Sequence, residues 1–149
     1  MTELFVDPNN TSYRPDGVYG KVIDDIKKDG VCPFCPENLT KYHKNPILKE
    51  GDFWLLTDNM YPYKGAKHHV LFVHKKHIQR FEEITNEAWS ELQDLIRFII
   101  KNRNIEGGAF LFRFGDTALT GASVTHLHAN LVSAGSREKD REPIMTRIG

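Results

Sequence analysis

Residues 86–103 carry apolar side chains at Trp89, Leu92, Leu95, Ile96, Ile99 and Ile100. Steps of three and four line them up along one stripe of an α-helix. Thr85 or Asn86 can cap its start. Glu87 and Glu91 suit the positive end of its dipole, and Lys101 and Arg103 suit the other end. Such a stripe is a core face rather than a cofactor box. Two strand-like runs precede the helix, at 52–57 (Asp-Phe-Trp-Leu-Leu-Thr) and 69–74. Two follow it, at 109–114 and 126–132. In 109–114 the side chains of Phe110, Phe112 and Phe114 share one face. The order strand, strand, long helix, strand, strand predicts an α+β fold, a small antiparallel sheet with a helix on one side.

The remaining chain adds little regular structure to this expectation. Val18, Val22, Ile23 and Ile26 are spaced for a short helix over 18–28, which Asp29-Gly30 stops. Residues 1–17 read as an arm and residues 133–149 as a polar tail in which Arg137, Lys139 and Arg141 are solvated. No repeat or linker divides the 149 residues, so one domain is expected. Twenty basic and twenty acidic residues cancel, which argues against electrostatic capture of nucleic acid or membrane. The first residues lack a basic segment followed by an apolar run, and no apolar stretch is long enough for a membrane span. Two cysteines in a single Cys-x-x-Cys do not make a secreted disulfide framework. A soluble, cytoplasmic protein is expected.

Residues 123–132 read Ser-Val-Thr-His-Leu-His-Ala-Asn-Leu-Val. His126, His128 and Asn130 alternate with Leu127, Ala129 and Leu131. On a strand this puts two imidazoles and an amide on one face and apolar groups on the other. The run resembles the motif of the histidine triad (HIT) family of nucleotide hydrolases and transferases, which alternates His with apolar residues and closes on two apolar ones, here Leu131 and Val132. Further segments extend the resemblance in order along residues 30–135. Gly121-Ala122-Ser123-Val124 stands where Gly-Gln-Ser-Val is usual. Residues 69–77 resemble His-x-Leu-x-x-Pro-Lys-x-His, with His74 in place of Pro. Asn59-Met60-Tyr61-Pro62 resembles an Asp/Asn-x-x-Pro segment.

The resemblance implies a five-stranded antiparallel sheet with one main helix, and a homodimer. It implies His128 as a nucleophile that attacks an α-phosphate and carries the nucleotidyl group as a phosphoramidate. It implies Ser123 as a phosphate contact and Asn59 as a ribose contact; Met60 and Arg113 complete the candidate substrate contacts. The substrate it implies is a purine nucleotide derivative, such as a dinucleoside polyphosphate or a nucleoside phosphoramidate. The third motif position is His in the hydrolase branches and Gln in the transferase branch; here it is Asn130. An amide can hydrogen-bond phosphoryl oxygens but cannot relay a proton, which favours transfer, phosphorolysis or slow hydrolysis.

Cys32-Pro33-Phe34-Cys35 has the gap that lets two thiolates reach one tetrahedral ion. Three readings stay open: a structural zinc, a redox pair, or two free thiols. A redox pair of the thioredoxin kind sits where a strand turns into a helix, whereas Pro36 and a polar stretch follow here. In zinc-bearing HIT proteins and the related uridylyltransferases, such a pair joins two histidines. The matching residues are His77 and His126. Among the other histidines, His69 is expected to pack at a strand start, His68 to be exposed, and His43 and His74 to have no role in the chemistry. Two rivals remain: a nucleotide-binding regulator with negligible turnover, and a redox or metal-handling protein built on the cysteines.

Overall fold

The computed structural model describes residues 4–11, 14 and 17–149. Part of the expected arm, residues 1–3, 12, 13, 15 and 16, lies outside them. In chain order come α1 (Val18–Asp29), α2 (Pro36–Tyr42), β1 (Ile47–Glu50), β2 (Trp54–Asp58), β3 (Ala66–His74), α3 (Asn86–Arg103), β4 (Ala109–Phe112), α4 (Thr117–Thr120) and β5 (His128–Ala134). The five strands form one antiparallel sheet in the order β1-β2-β3-β5-β4. The α+β architecture is therefore as expected. No helix among the described residues is long and apolar enough to cross a membrane.

The main helix forms where its stripe predicts. The Thr85 hydroxyl accepts from the Ala88 amide at its start, and Asn104 closes its end in a left-handed conformation at φ 50°. Leu92, Leu95 and Ile99 are buried against Trp54, Leu56, Val70, Phe72, Ala129 and Leu131 of the sheet. Ile100 falls at the margin of the stripe and is exposed. The Trp54 indole N–H donates to the Ala88 carbonyl at 2.8 Å, which fixes the helix over β2. Glu91 does not act through the helix dipole alone, for its carboxylate accepts the amides of Phe53 and Trp54, both at 2.8 Å. A Cβ on Gly51 would meet that carboxyl group, so a larger residue there would push the Glu91 side chain off these amides.

The opposite face of the sheet is not left to solvent. Leu55, Leu71 and Val73 pack under Leu39 of α2 and Phe34, and Ile23 and Ile26 of α1 pack with Val6 and Val124. Three expectations need correction here. A helix, α2, follows the cysteine pair directly, with Cys35 as its N-cap and Pro36 in its first turn, where proline is favourable. The described part of the arm is built into the fold, since Val6 bridges Val124 and Thr125 N–H donates to the Phe5 carbonyl. The motif strand runs over 128–134 instead of 126–132.

Candidate functional site

His126 precedes β5, yet the alternation carries back through it. Leu127 joins Ala129 and Leu131 in the α3-side core, while Phe34 sets its ring edge against both His126 and His128, with centroids 6.2 and 5.0 Å away. Both imidazoles therefore lie on the Phe34 side of the sheet.

Four of the predicted ligands converge. The ligand atoms of Cys32, Cys35, His77 and His126 all lie within 4.8 Å of one another. His126 Nδ1 is 3.4 Å from Cys32 Sγ, 3.6 Å from Cys35 Sγ and 3.2 Å from His77 Nδ1, which is 3.3 Å from Cys35 Sγ. A tetrahedral zinc, with bonds of about 2.3 Å to sulfur and about 2.0–2.1 Å to nitrogen, needs S···N edges of about 3.6 Å and an N···N edge of about 3.3 Å. The donor set and its spacing fit that ion. The other ring nitrogen of His126 hydrogen-bonds the His74 carbonyl, the partner a metal-bound imidazole requires. Burial pushes the Cys32 thiol up and holds His126 down at about 3. A divalent cation would reverse the state of the thiol.

Two residues beyond this cluster, His128 Nδ1–H donates to the His126 carbonyl at 2.8 Å. That bond selects the tautomer in which Nε2 is bare. Burial first, and then the Arg113 charge, hold the ring at about 4, so the imidazole is neutral at physiological pH.

Asn130 lies opposite Leu71 in the β3–β5 ladder, two pairs along from His69–Val132. The Tyr63 amide donates to His69 Nδ1 at 3.1 Å, which leaves the ring proton on Nε2. That Nε2–H donates to Asn130 Oδ1 at 2.8 Å. Burial, the largest cause, lowers His69 to about 4 and keeps the arrangement neutral. With its carbonyl held by His69, Asn130 presents its NH₂ as the free end. No sequence signal marks this contact between residues 61 apart, because it depends on ladder register. His69 packs at its strand as expected, but it also positions Asn130.

Ser123 sits on the segment that leads into β5. Its carbonyl accepts from the Asp7 amide at 2.8 Å, and its hydroxyl hydrogen-bonds the Tyr19 hydroxyl. Gly121, at φ 76°, turns the chain from α4 into this segment. Buried Asn10 braces the turn, donating to the carbonyls of Thr117 and Ala122 at 2.8 and 2.7 Å. Asn59 follows β2; its Oδ1 accepts from the Tyr61 amide at 2.7 Å, and its amide nitrogen is 3.2 Å from His69 Nε2.

A cleft of about 70 Å³ has His128, Asn59, Met60, Tyr19, Tyr61, Phe34 and His43 in its wall, whereas Ser123 and Asn130 stand outside that wall. Ligand pockets usually exceed roughly 300 Å³, so any small-molecule ligand would have to part these side chains. Arg113 is not in that wall. Its guanidinium donates to the carbonyls of Thr120 and Arg147 and to Thr146 Oγ1, which ties the C-terminal segment back to β4. The tail is thus tethered by hydrogen bonds at Thr146 and Arg147, although Met145 and Ile148 stay exposed as in a solvated tail. His43 does enter the cleft wall, its Nε2 2.7 Å from the Thr57 hydroxyl.

No protein-family model matches the chain, and no curated protein matches it. Solved structures do. A protein described as a HIT-like protein is 26% identical over 65% of this chain and 93% of its own, with a TM-score of 0.54. A hypothetical histidine triad nucleotide-binding protein from Sulfolobus tokodaii is 21% identical over 78% of this chain and 79% of its own, with a TM-score of 0.55. A zinc-bound histidine triad family protein from Mycobacterium smegmatis is 16% identical over 68% of this chain and 73% of its own, with a TM-score of 0.51. The last two show the fold alone. The five-stranded antiparallel sheet with its main helix is the fold of histidine triad proteins.

Proposed function

We propose that this chain is a zinc-containing HIT-family enzyme that moves a nucleotidyl group from a purine nucleotide derivative through a covalent adduct on His128. The observation that carries the reading is the pairing of His128 Nδ1–H with the His126 carbonyl. It leaves a neutral imidazole with one bare nitrogen in the wall of a cleft. Nε2 attacks the α-phosphorus, and the Ser123 hydroxyl and the Asn130 NH₂ hold the phosphoryl oxygens. Asn59 takes the ribose hydroxyls, Met60 borders the base, and the Arg113 charge acts on the phosphate from a distance. Cys32, Cys35, His77 and His126 hold a structural zinc that fixes the chain next to His128; the ion takes no part in the reaction steps.

Asn130 supports transfer to an acceptor, phosphorolysis or slow hydrolysis over rapid hydrolysis, because it cannot pass a proton to or from the reacting atoms. That same substitution favours a second reading, a nucleotide-binding regulator with negligible turnover. Turnover of dinucleoside polyphosphates and nucleoside phosphoramidates separates the two. The enzyme reading predicts turnover that His128→Ala abolishes while nucleotide affinity stays within about tenfold, since binding is spread over base, ribose and phosphate. Turnover that survives His128→Ala would contradict it.

A further inference from the structure

We propose that Tyr19 supplies, through Ser123, the proton that the leaving group takes up when His128 attacks, an inference that rests on the reading of His128 as the nucleophile. A leaving oxygen or nitrogen that is strongly basic needs a proton as its bond to phosphorus breaks. Asn130 has none to give. His69 is no substitute, since its Nδ1 accepts the Tyr63 amide and its Nε2–H is committed to Asn130 Oδ1. His43 is engaged by the Thr57 hydroxyl, and Tyr42 donates to the Asp29 carboxylate.

Tyr19 is placed differently. It stands in the first turn of α1, lines the same cleft as His128, and its hydroxyl hydrogen-bonds the Ser123 hydroxyl. Its ring packs against Tyr61 with centroids 5.2 Å apart, and the Arg14 guanidinium lies 4.5 Å from the ring centroid. A cation at that distance favours the phenolate that remains once the proton has left. The Arg14 guanidinium also donates to the Tyr61 carbonyl at 2.8 Å, which keeps the charge beside the ring.

The proton count closes. The Nε2 lone pair forms a bond to the α-phosphorus, and the electron pair of the breaking bond goes to the leaving atom. As that bond breaks the Ser123 hydroxyl turns from the phosphoryl oxygen to the leaving atom and gives it its proton, and Ser123 takes the phenol proton of Tyr19. His128 keeps its Nδ1–H on the His126 carbonyl, so the adduct is an N-phosphorylated imidazolium, and Tyr19 is a phenolate. In the second half an acceptor O–H attacks phosphorus, its proton returns through Ser123 to Tyr19, and the P–N electron pair returns to Nε2. The relay gives the site access to alkoxide and amine leaving groups despite the amide at 130.

The experiment compares wild type with Tyr19→Phe, which removes the hydroxyl and keeps the ring. The substrates are two esters of adenosine 5′-phosphate, one with nitrophenol, which leaves unprotonated, and one with a primary alcohol, which does not. The relay predicts a fall of roughly 10²- to 10⁴-fold on the alkyl ester and a change within about threefold on the nitrophenyl ester. Equal changes on both esters, or none on either, would overturn the role of Tyr19 while a His128 adduct with the nitrophenyl ester still stood. A wild type that forms no adduct with the nitrophenyl ester would overturn the nucleophile and the relay together.

Discussion

An imidazole at position 130 would bring a nitrogen able to take a proton from an incoming water, whereas the amide of Asn130 keeps its protons and accepts none at nitrogen. His69 gives that amide a fixed direction by donating to its carbonyl, so its NH₂ serves as an electrostatic donor only. The adduct on His128 should then wait for an acceptor that does not depend on activation from position 130. Asn130→His should raise hydrolysis relative to transfer by about tenfold or more, because it adds a general base for water beside the route through Ser123 and Tyr19. The ratio of nucleoside monophosphate to transferred product, at fixed acceptor concentration, measures this. An unchanged ratio would remove the account of Asn130 and leave the role of His128 untouched.

At the scale of elements, the reactive segment hangs between two supports. Before β5, the 121–125 stretch is tied to Phe5, Asp7 and Asn10. At His126 it meets the loop ahead of α2 and the end of the β3 segment in the Cys32, Cys35, His77, His126 cluster. One zinc per chain is expected in freshly purified, reduced protein. Structural zinc is worth on the order of 10 kcal/mol in small peptides; here the α3-side core stands apart from it, so chelation should lower the melting temperature and expose 31–36 and 121–127 to protease without unfolding the sheet. Well under one zinc per chain, or a melting temperature indifferent to chelator, would contradict the metal site. The legibility of these elements follows their physics. α3 and the alternation around His128 have long, regular apolar patterns. β1 is an exposed four-residue edge with a bulge, and α2 is a short polar helix held by its proline start and buried Leu39. Neither carries a periodic signal. The ligand set is legible only through the resemblance of its segments to a family pattern, and the His69–Asn130 and Tyr19–Ser123 contacts belong to tertiary packing that local sequence does not encode.

At the scale of the whole molecule, β3 and β5 occupy the middle of the sheet and are covered on both faces, by α3 on one and by α1, α2 and the N-terminal segment on the other. His128 and Asn130 thus sit on the most constrained strands of the fold. The β4 edge is different: the strand ends at Phe112, short of the expected 114, and Phe110 on it and Phe114 just past its end are 41% and 53% exposed. An edge strand with exposed aromatic side chains offers a second copy a place to pair, and a homodimer is the expectation to test. Light scattering at micromolar concentration should return twice the chain mass; a monomer would contradict it. The covalent step is tested most directly by the intact mass of the chain itself. After brief incubation with the nitrophenyl ester or the imidazolide of adenosine 5′-phosphate, the account predicts one added adenylyl group, acid-labile, mapped to the peptide that holds His128 and absent from His128→Ala. Turnover with no added mass on the chain under single-turnover conditions, or an adduct that persists in His128→Ala, would contradict it.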